Sequence, residues 1–89
     1  LREKVAVVTG ASKGLGRAMA ISLGSAGARV VLVSRNKEQL AESVAMVQAA
    51  GGQAEAWAAD VTSEAAVREL EAHLNDTYGA VHVLINNAG

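Results

Sequence analysis

Val5-Ala6-Val7-Val8-Thr9-Gly10-Ala11-Ser12-Lys13-Gly14-Leu15-Gly16 is the stretch from which the rest of the 89-residue chain can be read. Its first five residues are apolar and mostly β-branched with no polar alternation, which is the pattern of a short strand buried on both faces. Glycines break the run at once. Beyond them Leu15, Ala18, Met19, Ser22, Leu23 and Ala26 recur at helical spacing, and Gly27 can take the left-handed backbone that ends a helix. A strand passing directly through a glycine-rich turn into a helix is the opening unit of a parallel β/α fold.

The same unit repeats downstream. Val30 to Val33 reads as a second strand. Asn36 then caps a helix whose third residue, Gln39, completes a capping-box-like pair, and Leu40, Val44 and Val47 form its apolar stripe. Gly51-Gly52 ends that helix, and Gln53 to Ala59 gives an alanine-rich third strand running into Asp60. Thr62 or Ser63 caps a third helix in which Val67, Leu70 and Leu74 share one face, and Gly79 closes it. Val81 to Ile85 is the fourth strand. Right-handed crossovers restrict this β-α-β-α-β-α-β series to a Rossmann-type, doubly wound parallel sheet, half of the complete fold, and the spatial order expected is 3-2-1-4.

Composition narrows the function classes. Apolar residues make up 51 % of the chain but aromatic ones only 2 %, with no Phe, so one small core must be built from Val, Leu, Ile and Ala. A chain of this length buries only about 60 to 65 % of its unfolded surface, which makes its stability marginal. The net charge of −1 comes with scattered basic residues, which leaves no footprint for nucleic acid or an anionic membrane. The aliphatic runs are far too short to span a bilayer. There is no cysteine, and hence no disulfide or thiolate metal site, and no secretory segment opens the chain; a soluble, cytoplasmic protein is expected. His73 and His82 are isolated from other ligand types, so no metal is expected. Asn75-Asp76-Thr77 has glycosylation spacing but falls near a helix end and is read as structural.

The turn has a chemical reading as well. Gly10, Gly14 and Gly16 allow a tight turn and a close backbone approach, and the helix that follows aims free N–H groups and a positive dipole end at whatever sits there. Those properties suit a pyrophosphate. Ser12 adds a hydroxyl donor. No Gly-Lys-Ser/Thr follows, so the turn is not a Walker loop. About 20 residues on, the end of the second strand is where such folds meet the adenosine ribose, with an acid for a 2′-hydroxyl or an arginine for a 2′-phosphate. Ser34-Arg35 stands there, and the first carboxylate, Glu38, comes one turn into the next helix. Arg35 offers a planar fork of donors, and Lys13 can approach from the glycine turn. These residues favour NADP(H) over NAD.

The glycine spacing of three residues and then one, in Thr9-Gly10-Ala11-Ser12-Lys13-Gly14-Leu15-Gly16, resembles the cofactor loop of the short-chain dehydrogenase/reductase family. Asp60-Val61 after the third strand and Asn86-Asn87-Ala88-Gly89 after the fourth match two further motifs of that family. The resemblance implies that Gly10, Ser12, Lys13, Gly14, Leu15 and Gly16 line the cofactor. It also implies that the Asp60 carboxylate and Val61 backbone meet the adenine, and that Asn86, Ala88 and Gly89 contact the nicotinamide-side ribose while helping to hold the sheet. Family members transfer a hydride between nicotinamide and a carbonyl or alcohol, using a serine and a Tyr-x-x-x-Lys pair. Neither is placed here, because Tyr78 is the only tyrosine and His82 stands four residues on.

Two readings follow. In the first, residues 1–89 are the N-terminal cofactor-binding half of an NADP-dependent oxidoreductase resembling the 3-oxoacyl-carrier-protein reductases, without catalytic residues of its own. In the second, the chain is a stand-alone nucleotide-binding or self-assembling module. Leu1 at the start and the end just after Gly89 suggest a cut piece. Such a cut leaves the fourth strand as an uncovered edge and predicts self-association through it. Arg17 and Arg68 are expected to face solvent.

Overall fold

The computed structural model describes residues 4–11 and 14–86. Its elements are β1 (Val5–Thr9), α1 (Gly14–Ser25), β2 (Arg29–Ser34), α2 (Lys37–Ala49), β3 (Gln53–Ala58), α3 (Glu64–Tyr78) and β4 (Val83–Ile85). The sheet has the order β3-β2-β1-β4 with every pair parallel, as the alternating pattern requires. Val5 pairs with Arg29, Val7 with Leu84 and Val31 with Glu55. β1 and the interior of β2 are buried throughout, which accounts for their unbroken apolar sequence.

Parity along the strands divides the core in two. Ala6, Val8, Val30 and Leu32 face α1 and α2, where they pack with Ala20, Leu40 and Val47. Val5, Val7, Val31 and Val33 face α3 and meet Leu70 and Leu74, with Trp57, Val61 and Tyr78 at the margin. His73 fastens α3 to β3: its Nε2 lies 2.6 Å from Glu55 Oε1 and its ring stacks on Trp57 at 4.5 Å. His82 ties the start of β1 to the segment before β4: its backbone N–H donates to the Val5 carbonyl and its Nδ1 accepts from the Val5 N–H.

Several local expectations need correction. The buried positions of α1 are Gly16, Ala20 and Gly24, whereas Ala18, Ser22 and Ala26 are exposed and Leu15 is 63 % exposed. The helix approaches its neighbours on its small residues: a Cβ on Gly24 would lie 2.5 Å from Val47 Cγ1, and one on Gly52 would lie 2.8 Å from the Gly24 backbone. In α2 the buried stripe is Leu40, Ser43 and Val47, with Val44 only half-buried. Arg17 does not face solvent but reaches across to α2, where its guanidinium donates to Ser43, to the Gln39 carbonyl and to Glu42. Arg68 is exposed as expected, loosely paired with Glu64 at 4.0 Å.

The helix ends follow the sequence closely. Asn36 Oδ1 accepts from the Gln39 N–H, and of the two candidate caps for α3 it is Ser63 whose hydroxyl accepts from the Ala66 N–H. Gly79 ends α3 with a φ of 80°. β3 ends at Ala58 and β4 is confined to Val83–Ile85, shorter than the apolar run that announced it. Among the described residues no helix is long and apolar enough to cross a membrane.

Candidate functional site

Because all four strands are parallel, their carboxyl ends lie along one edge of the sheet. The chain turns to opposite sides after β1 and before β4, so the order reverses between those neighbours, and ligands of such sheets sit in the crevice outside that point. The glycine turn lies there. Gly10 and Gly14 have φ of 63° and 62°, backbone that side-chain-bearing residues rarely adopt. Among the described residues, a Cβ on Gly14 would meet no atom within 4 Å. α1 starts at this residue with no acid in its first turn, and its first N–H groups and dipole end are not offset by a local carboxylate. Gly16, in the first turn of α1, is buried.

The end of β2 supplies the next part. The Ser34 carbonyl accepts from the Ala59 N–H at 3.0 Å, which holds the ends of β2 and β3 together, and the Ser34 hydroxyl accepts from the Asn36 N–H. Arg35 follows with an exposed side chain. Asp60, after β3, takes the Thr62 hydroxyl at 2.6 Å and the Thr62 N–H at 2.9 Å on the same carboxylate oxygen. These two bonds, and more weakly the Arg35 guanidinium, hold the Asp60 carboxyl below its ordinary range, so it stays ionised next to Arg35. Val61 is half-buried against the α3 side of the core. At the end of β4, Asn86 Oδ1 lies 3.1 Å from the Thr9 hydroxyl, joining the carboxyl ends of β1 and β4.

Gly10, Gly14, Leu15, Gly16, Ser34, Arg35, Asp60, Val61 and Asn86 thus all lie on one edge. Ser12, Lys13, Ala88 and Gly89 lie outside the described residues. Reading the sequence missed Ser43, the buried hydroxyl that donates to the Ala11 carbonyl at 2.8 Å, and its partner Arg17. The signal was available: Leu40, Ser43 and Val47 share the helical spacing of a buried face. Tyr78 sits at the other, amino-terminal edge, in an open groove lined with Arg29, Gln53 and Glu55, far from the glycine turn in the topology. No cluster of metal-ligating side chains occurs among the described residues.

Comparison with known proteins agrees with this geometry. The family model described as short chain dehydrogenase matches residues 4–89. A 3β-hydroxysteroid dehydrogenase of Mediterraneibacter gnavus is 46 % identical over 98 % of this chain, which spans 32 % of that protein. Among solved structures, a metagenomic short-chain oxidoreductase in complex with NADP superposes with a TM-score of 0.97 at 46 % identity, over the whole of this chain and 40 % of that one. An NAD⁺-bound xylitol dehydrogenase superposes with a TM-score of 0.93 at 36 % identity, over 99 % of this chain and 34 % of its own. The chain therefore spans about a third of the length of these relatives. With the strand order, the glycine turn and the family match in agreement over nearly its whole length, the chain belongs to the short-chain dehydrogenase family.

Proposed function

We propose that residues 1–89 form the cofactor-binding half of an oxidoreductase that uses NADP(H), and that this half carries no catalytic group of its own. The observation that carries the reading is Arg35, exposed at the carboxyl end of β2, with no acid between it and Glu38 in α2. The glycine turn and the start of α1 take the pyrophosphate, with Ser12 and Lys13 beside it. Arg35 binds the 2′-phosphate, with Ser34 adjacent. Asp60, kept ionised, accepts from the adenine amino group next to the Val61 backbone, and Asn86, Ala88 and Gly89 meet the nicotinamide-side ribose. The bound nicotinamide supplies a hydride to, or takes one from, a carbonyl or alcohol; the residues of this chain bind and orient it. The NADP carried by the metagenomic relative supports this choice, and the NAD⁺ of the xylitol dehydrogenase shows that family membership alone does not decide it.

Calorimetric titration with NADPH and NADH tests the assignment. NADPH is expected to bind more tightly, and Arg35→Ala to remove about 1.5 to 3 kcal/mol from NADPH binding while leaving NADH unchanged. Equal affinities, both indifferent to Arg35→Ala, would overturn it.

A second reading, a self-assembling module, is favoured by one observation: Leu84 on the edge strand β4 is 68 % exposed. Association through this edge and the adjoining face that Leu84 shares with Val7 predicts a dimer or larger species in light scattering that Leu84→Ser shifts to monomer. A monomer at every concentration would dismiss it.

A further inference from the structure

Ser43 lies inside α2, fully buried, and is not itself among the residues assigned to ligand contact. Its hydroxyl accepts from Arg17 Nε at 2.8 Å and donates to the Ala11 carbonyl at 2.8 Å. A hydroxyl carries one proton and a guanidinium has no acceptor, so the bonds run in one direction, from Arg17 through Ser43 to Ala11. The cationic donor polarises the hydroxyl and strengthens its own donation. Arg17 Nη2 is also held by α2, at 3.2 Å from the Gln39 carbonyl and 3.3 Å from Glu42 Oε2. On its other side, the Ala11 N–H donates to the Val33 carbonyl at 3.3 Å.

Ala11 is therefore pinned twice, by β2 through its N–H and by α2 through its carbonyl. An oxygen bonded to a fully buried hydroxyl cannot turn toward a ligand at the surface, so the negative end of this peptide dipole is kept from an anion at Gly14. The same bonds tie the glycine turn to the helix that begins two residues after Arg35. A ligand bearing phosphates at both places needs that separation fixed.

We propose that Ser43 and Arg17 are positioning residues for dinucleotide binding: through the Ala11 carbonyl they fix the start of the glycine turn and its placement relative to Arg35. The proposal rests on the reading of that turn as a phosphate cradle. It predicts a selective defect, since a ligand that engages only Arg35 should not feel the change.

The test uses the 89-residue chain, isotope-labelled, with amide exchange followed at Ala11 and at Val31 in β2, and titrations with NADPH and with adenosine 2′-monophosphate, which has no pyrophosphate. Ser43→Ala is expected to speed Ala11 exchange by about tenfold with less than about threefold at Val31, and to weaken NADPH about tenfold but adenosine 2′-monophosphate less than about twofold. Arg17→Gln should act in the same direction by about threefold, because the Ser43 bond survives without its cationic donor. Equal acceleration at Ala11 and Val31, or equal weakening of both ligands, would mean a purely structural serine and overturn the proposal. If Ser43→Ala does not fold, Arg17→Gln decides by the same readings. A wild-type chain that binds neither ligand removes the dinucleotide reading, and the exchange comparison still decides whether the pair shapes the turn.

Discussion

Gly24 and Gly52 touch where α1 crosses the turn between α2 and β3, and they show how small residues set the spacing of a fold poor in aromatic side chains. A methyl on Gly52 would press on the Gly24 backbone and on Val47 Cγ1, each at 2.8 Å, and one on Gly24 would press on Val47 Cγ1 at 2.5 Å; only the Gly24 change gains helix propensity against its clash. Overpacking costs about 1 to 3 kcal/mol. In the helix, replacing glycine by alanine returns about 0.5 to 1 kcal/mol. Gly52→Ala is therefore expected to destabilise by the full overpacking cost and Gly24→Ala by less, measured by urea denaturation; the reverse order would contradict this packing account. Neither contact is legible in the sequence, because the stripe of Leu15, Ala18, Met19, Ser22, Leu23 and Ala26 that marks α1 as a helix contains neither glycine, and the buried positions are Gly16, Ala20 and Gly24. The helix turns its smallest face to the sheet and leaves Leu15 on the side of the glycine turn. Ser43 escapes because Leu40, Val44 and Val47 already complete an apolar stripe for α2, whereas the position buried between Leu40 and Val47 is the polar one.

At the scale of the element, α3 lies between two groups whose ionisation the fold has altered. Before its cap, Asp60 is held below its ordinary range by Thr62, first through the hydroxyl and then through the N–H. In its last turn, Tyr78 is pushed above the ordinary range by burial first and then by the Glu55 carboxylate. The signs differ. The lowered Asp60 contributes stability that is present above the unfolded carboxyl value of about 3.9 and is lost as pH falls through the folded one. The raised Tyr78 favours the neutral phenol, so its contribution is present below about pH 10 and is lost as pH rises through the folded value. Stability measured by denaturation should therefore fall more steeply above pH 10 in the wild type than in Tyr78→Phe. Identical alkaline slopes would show that the hydroxyl does not titrate against the fold. The caps and stops of α2 and α3 were legible because Asn36, Ser63 and Gly79 act through local backbone bonds. The length of β4 was not, since Val81 is 39 % exposed and only Val83–Ile85 pair with β1.

For the whole molecule, the order β3-β2-β1-β4 is the one expected from the sequence, and it places every sequence-assigned residue that is described on the carboxyl edge. What the order could not convey was the coupling across that edge. Thr9 to Asn86, Ala59 to Ser34 and Ser43 to Ala11 are contacts between residues distant in sequence, and each depends on the packed geometry. The concavity lined by Arg29, Glu55 and Tyr78 lies at the opposite, amino-terminal edge, and the chemistry assigned here does not use it. The two edges make the central claim directly testable. Titration of the labelled chain with NADPH, followed by amide chemical shifts, should move Gly10, Gly14 to Gly16, Ser34, Arg35, Asp60, Val61 and Asn86 while leaving Glu55 and Tyr78 in place. Shifts confined to Arg29, Glu55 and Tyr78, or no shifts at the glycine turn at saturating NADPH, would contradict it.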